Sequence, residues 1–243
     1  MAGTAPASTP LVYDVFELPV VCATIIICVV KYIWINRDAA ARVGNCSFSF
    51  KAVVCDGQFD RAFFAQISHE SLVHLALNMG SVVSLQQLEQ SQGSLAYFKL
   101  IVVVMFMSAA IMLAVSFIMF KHTGQQHYLT SSAIGYSCVL FGMTSFQSVS
   151  AASASVIVLG LRLPALFAPF ASLVLVSLIV PAASFTGHLS GILAGFITGA
   201  LSLQLLLPVS FLLTLPLLCV LGKYARSHTV ALQHEQPEDW YSV

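Results

Sequence analysis

Between Glu89 and Glu235 the chain carries not one aspartate or glutamate, and that gap dictates the solvent in which it can fold. A carboxylate held at mid-bilayer costs on the order of 3 kcal/mol on insertion scales, so long apolar runs without acids suit lipid. Hydrophobic residues make up 58% of the 243 and charged residues 8%, against about 25% charge in an ordinary soluble domain. Mean hydropathy is +0.89. Too little charge remains to cover a water-facing surface, and the chain reads as a polytopic protein of the lipid bilayer. Ten basic and ten acidic side chains cancel to zero, which argues against nucleic acid as a partner.

A helix needs about 20 apolar residues to cross the bilayer core. Counted that way, the sequence predicts an all-α bundle of six transmembrane helices, at residues 15–35, 71–88, 97–120, 130–149, 165–180 and 184–207. They form one core, residues 15–207. A tail of residues 1–14 precedes it. A short apolar extension follows over 208–222, interrupted by Pro216, and then a soluble tail over 223–243. Residues 36–70 form a long, polar and partly amphipathic loop. Met1 to Pro10 has no Lys or Arg, so it matches neither a signal-peptide n-region nor an Arg-rich transit peptide, and the first apolar run is expected to remain as a span. Basic residues fall on both sides of the predicted bundle, so the positive-inside rule fixes no orientation. The six cysteines lack a CxxC pair and zinc-ligand spacing, so no metal is expected. Cys46 and Cys55 share the long loop, where a disulfide requires an oxidising compartment.

The even-numbered spans are the informative ones. In a six-span bundle, spans two, four and six enter from one face, and each carries an unusual polar residue soon after its start. His74 and Asn78 stand about four and eight residues into span two, Ser137 about seven into span four, and His188 about four into span six. At 1.5 Å of rise per residue, all lie on the order of 6–12 Å below one surface. Polar groups in lipid turn toward the bundle interior or a wet cavity. His74 and Asn78, four apart, share a helix face. Gly187, Gly191, Gly195 and Gly199 repeat every fourth residue, a close-packing stripe, and span four offers Gly135 and Gly142 on either side of Ser137.

Those parts suggest a chemistry. A serine hydroxyl is a weak nucleophile until a base takes its proton, and neutral histidine suits that task. Spans three to six contain no carboxylate, so the arrangement predicts a Ser137–His188 dyad whose imidazole is oriented by packing. Negative charge on an attacked carbonyl needs donors, and His74, Asn78 and the backbone near Ser137 can supply them. Each residue also has a bland explanation. A membrane serine commonly bonds back to the i−4 carbonyl, and histidine, asparagine and glycine commonly serve helix packing. His69, His122 and His127 read as loop or helix-end residues without a catalytic part. A transporter or channel is disfavoured, since spans two to six hold no deep charged residue of the kind ion pathways display.

Three ordered blocks then match a known family. RAFFAQISHESLVHLALNMGSVVSLQQLEQSQGS (61–94) resembles the second-helix region of rhomboid proteases, GYSCVLFG (135–142) their GxSx nucleophile motif, and SFTGHLSGILAG (184–195) their histidine helix. The last block is most similar to the endomembrane branch of eukaryotic rhomboids. The resemblance spans roughly residues 61–200. It implies an intramembrane serine protease, free of metal and cofactor, that cleaves transmembrane segments of single-span or polytopic membrane proteins in the endoplasmic reticulum or Golgi. It implies Ser137 as nucleophile, His188 as general base, His74 and Asn78 as oxyanion-stabilising groups, and Phe141 as the aromatic on which the imidazole stacks. It also implies a membrane-dipping loop at 36–70, a mobile fifth span, and a luminal site. Two departures stand out: Cys138 where the family often has glycine, with consequences for helix spacing or the backbone donor, and no glycine before the Leu88–Glu89 pair. The alternative function is that of an inactive relative that binds membrane clients for trafficking or degradation; such relatives typically lose the serine or histidine, and this chain keeps both.

Overall fold

The computed structural model describes residues 17–37, 43–158 and 161–202. Among these, six helices reach twelve residues or more. They are α1 (Pro19–Arg37), α2 (Leu72–Ser84), α3 (Ser94–Thr123), α4 (Ser137–Ser150), α5 (Ala168–Ile179) and α6 (Phe185–Leu201). The expected tails and the apolar extension over 208–222 lie outside the described residues.

The outer face of the bundle is apolar as well as its interior. Ile26 of α1, Leu77 of α2 and Leu178 of α5 are 60%, 63% and 74% exposed, as expected where the surrounding solvent is lipid. Inside, α3 runs as the central mast. Leu100 and Val104 on α3 pack with Met79 and Val82 of α2 and with Val139, Met143 and Phe146 of α4.

Six full-length spans were expected, and helix length supports two. Among the described residues only α1, at 19 residues, and α3, at 30, are long and apolar enough to cross a bilayer unaided. The other four run from 12 to 17 residues, short of the ~20 that crossing requires. The physical reason is visible before α4. Residues 131–136, assigned to span four by hydropathy, form no helix. Extended chain gains about 3.3 Å per residue where helix gains 1.5 Å, so an apolar run can cover depth without being helical.

The expectation of an all-α chain also needs amendment. Between the expected spans four and five, β1 (Ser155–Val158) pairs antiparallel with β2 (Leu161–Pro164), Ile157 opposite Arg162. The β-branched run Val156, Ile157 and Val158 favours strand, and Pro164 can close β2 because it sits at the strand's end.

The long loop is anchored rather than draped. Phe48, Phe50, Val53 and Val54 pack on Ala109 and Met112 of α3, and the Phe50 and Phe117 rings stack at 5.8 Å. Phe48 and Ala133 exchange backbone hydrogen bonds of 2.8 and 2.9 Å. The Arg61 guanidinium donates to the Gly44 carbonyl at 2.9 Å and the Ser47 carbonyl at 3.3 Å. Cys46 and Cys55 both lie in this loop. In the short helix Gln87–Gln92 that follows α2, the buried Glu89 carboxylate accepts from the Val20 N–H at 3.0 Å and the Val21 N–H at 2.8 Å. Those donors belong to the first turn of α1, which has no intrahelical acceptor for them, so the carboxylate and the helix dipole stabilise each other.

Candidate active site

Three helix N-termini converge, and local sequence explains each. The Ser71 side chain accepts from the His74 N–H and caps α2. The Ser184 side chain accepts from the Gly187 N–H and caps α6. Serine favours this position because its oxygen satisfies a donor that the first turn leaves free. Each cap stands three or four residues before a histidine of interest, which places His74 and His188 at matching depth. The third N-terminus is α4, whose first residue is Ser137.

That placement corrects the expectation of Ser137 seven residues inside a helix. At the first position of α4 the hydroxyl has no preceding helical turn to bond back to. It instead lies 2.8 Å from His188 Nε2. For Nε2 to accept from the hydroxyl, Nδ1 must carry the ring proton. Nδ1 is buried and without a hydrogen-bond partner among the described residues, so no third group orients the imidazole through it. Packing does so instead. The Phe141 ring lies 4.6 Å from the imidazole at 35°, and Leu173 of α5 and Ile192 of α6 close the cluster around it.

His74 approaches from the other side. A side chain at Gly135 would lie 2.6 Å from both Cε1 and Nε2 of His74, and Gly135 holds φ +116°. Glycine there does two jobs, since it admits the ring and adopts a backbone angle that L side chains rarely reach. Asn78, buried, donates one amide hydrogen to the His74 carbonyl at 2.9 Å and so follows its own helix rather than reaching toward Ser137; its second amide hydrogen is left over. The Val139 and Leu140 N–H groups donate to the Tyr136 carbonyl at 3.0 and 3.1 Å, so the positive ends of α2, α4 and α6 and the Ser137 and Cys138 N–H groups at the very start of α4 make this pocket favourable to negative charge.

The glycine stripe lies where close packing needs it. A side chain at Gly191 would run into the Cys138 carbonyl, and one at Gly195 into the Gly142 carbonyl. A methyl group at Gly187 would lie 3.4 Å from Ala133 Cβ, and one at Gly199 would lie 3.1 Å from the Val149 side chain. Cys138 itself does not separate the helices. Its backbone meets Gly191, while its thiol points the other way and lies 3.1 Å from Gln66 Oε1.

One residue set aside in the sequence belongs here. His69 is fully buried, its ring 5.2 Å from that of His74 and edge-on to it at 73°. Neither of its ring nitrogens makes a well-formed hydrogen bond among the described residues. Burial pulls the imidazole down to about 4, His74 pushes the same way, and a poorly aligned approach to the Ile67 backbone opposes them. The available signal was its spacing, five residues before His74. Among the described residues no cluster of three metal-ligating side chains occurs.

Comparison with known proteins bears on this arrangement. A family profile described as Rhomboid domain matches residues 56–205. Rhomboid-like protein 14, mitochondrial, of Arabidopsis thaliana is 36% identical over 140 residues, covering 56% of this chain and 41% of that protein. Rhomboid-like protein 15 of the same plant is 29% identical over 178 residues, covering 72% and 44%. Rhomboid-related protein 4 of Homo sapiens is 26% identical over 164 residues, covering 67% and 52%. The chain therefore spans about half the length, or less, of these relatives.

Proposed function

Because this chain belongs to the rhomboid family, and is thus an integral membrane protein, we propose that it is an intramembrane serine endopeptidase acting on transmembrane segments of other membrane proteins. The observation that carries this reading is the 2.8 Å approach of Ser137 Oγ to His188 Nε2. In the proposed reaction His188 Nε2 takes the hydroxyl proton as Oγ attacks the substrate carbonyl. The oxyanion is held by the Ser137 and Cys138 N–H groups that open α4, with the His74 ring and the spare Asn78 hydrogen beside them. His188 then passes its proton to the leaving amine, and a water activated by the same imidazole hydrolyses the acyl-enzyme.

The six helices serve as the spans of this reading, the shorter ones completed by extended chain. The fifth is the side through which a substrate helix reaches the site, and the site opens to the lumen. A secretory-pathway membrane is the proposed location, supported by the SFTGHLSGILAG block alone. One plant relative carries "mitochondrial" in its name, so imaging against reticulum, Golgi and mitochondrial markers is the deciding measurement. The alternative, a client-binding protein without activity, is disfavoured because both dyad residues are present and in hydrogen-bonding contact.

A fluorophosphonate probe tests the proposal. Labelling of the wild type, and none of Ser137→Ala or His188→Ala at equal folded protein, supports it. Equal labelling of all three sinks it.

A further inference from the structure

We infer that Gln66 is a positioning residue, one that holds the first turn of α4 through Cys138. This rests on the serine-protease reading above. Gln66 lies in the long loop, in the turn that ends at Ile67, and is 6% exposed. Its side-chain nitrogen donates to the Ala62 carbonyl at 2.8 Å and to the Met105 carbonyl of α3 at 3.0 Å. Two carbonyl acceptors on that side fix which end of the amide is nitrogen. Its oxygen therefore faces α4, where the Cys138 thiol donates to it at 3.1 Å. The Ser108 hydroxyl, bonded to the Met105 carbonyl at 3.1 Å, stands 3.4 Å from the same oxygen.

One buried amide thus joins three separate pieces: its own loop, the middle of α3, and the residue after Ser137. Its hydrogen-bonding capacity is fully used, which is how a buried polar group becomes a rigid joint rather than a cost. The part of α4 that it holds is the part whose N–H groups would receive the oxyanion. From the opposite side, Gly191 of α6 lies against the Cys138 backbone. Residue 138 is therefore clamped between α6, on its carbonyl, and Gln66, on its thiol. The clamp gives the thiol a use at a position where glycine would offer no side chain to hold. Gln66 touches no reacting atom. It acts by fixing direction, and small errors of direction at such a site are costly in rate.

The test combines kinetics with amide exchange in the full-length detergent-purified protein. Gln66→Met keeps the length and removes all four hydrogen bonds; Cys138→Ala removes the thiol; Cys138→Ser keeps a donor in place. Gln66→Met and Cys138→Ala should each slow cleavage by about tenfold in kcat with KM changed less than about twofold. Cys138→Ser should recover most of that loss. The double variant Gln66→Met/Cys138→Ala should be slowed by about tenfold rather than about a hundredfold, because residues acting through one link are not additive. A multiplicative double variant, or a Cys138→Ser as slow as Cys138→Ala, overturns the inference. Exchange decides it independently of catalysis. The Val139 and Leu140 amides should exchange faster in Gln66→Met while those of α6 do not change. Unaltered exchange at Val139 and Leu140 overturns the positioning role even where the kinetics agree. A wild type whose Ser137 takes no probe refutes the protease reading and leaves the exchange result to judge Gln66.

Discussion

Gly191 of α6 lies directly against the carbonyl of Cys138 on α4, with no room for even a methyl group between them. Three residues along α6 from that contact, His188 reaches the hydroxyl of Ser137, the residue before Cys138. The backbone contact and the hydrogen bond are therefore two views of one helix crossing. Whatever separates the backbones must also lengthen the bond.

Gly191→Ala is expected to disturb both. The obstacle is rigid backbone, so α6 must move away, at a cost of about 1–3 kcal/mol typical of overpacking. Thermal unfolding in detergent should fall accordingly, and probe labelling of the remaining folded protein should drop. Gly195→Ala, which meets the Gly142 carbonyl, should destabilise similarly one turn farther from the dyad, with a smaller loss of labelling. Wild-type stability and labelling in Gly191→Ala would contradict the crossing described.

His69 predicts a dependence of stability on pH. Its folded value of about 4 lies below the ordinary 6.5. Between those values the unfolded chain binds a proton that the folded protein does not, so stability rises with pH. It is fully present above about 6.5 and is lost as pH falls toward 4, by on the order of 3 kcal/mol in total. Unfolding midpoints measured from pH 7 to pH 4.5 should fall less steeply in His69→Phe than in the wild type. Parallel curves for the two proteins would remove His69 from the account.

Glu89 makes a contrasting prediction, of lost stability with the site left intact. Glu89→Gln replaces one acceptor oxygen with an amide group that faces a backbone N–H, so one donor of the first turn of α1 is left unsatisfied. The expected loss is about 1–3 kcal/mol, read as a lower unfolding midpoint. Labelling per folded molecule should not change, because Glu89 sits in the short helix Gln87–Gln92 beyond the far end of α2 from His74. A drop in labelling with unaltered stability would contradict the role assigned here.

The sequence carried the solvent and the cast of residues. An acid-free run from residue 90 to 234 permits few environments, because charge in lipid is penalised locally, residue by residue. Glycines four apart mark a close helix contact without reference to the partner, and Ser71 and Ser184 are capping residues by their own chemistry. His74, Asn78, Ser137 and His188 could be nominated together because spans entering from one face must share depth, while Phe141 came only from the resemblance to rhomboids.

Only the tertiary structure decided what those residues touch. Hydropathy does not distinguish an apolar helix from an apolar extended segment, so it placed Ser137 inside a span when it begins one. The difference matters because only a helix start leaves the hydroxyl without an i−4 carbonyl and the Ser137 and Cys138 N–H groups without intrahelical acceptors. Gln66 on Cys138, Glu89 on the start of α1, and His69 against His74 were likewise beyond reading, two of the three being contacts between segments more than sixty residues apart. Such contacts depend on how elements are arranged in space, whereas periodicity and propensity report only what a segment does by itself.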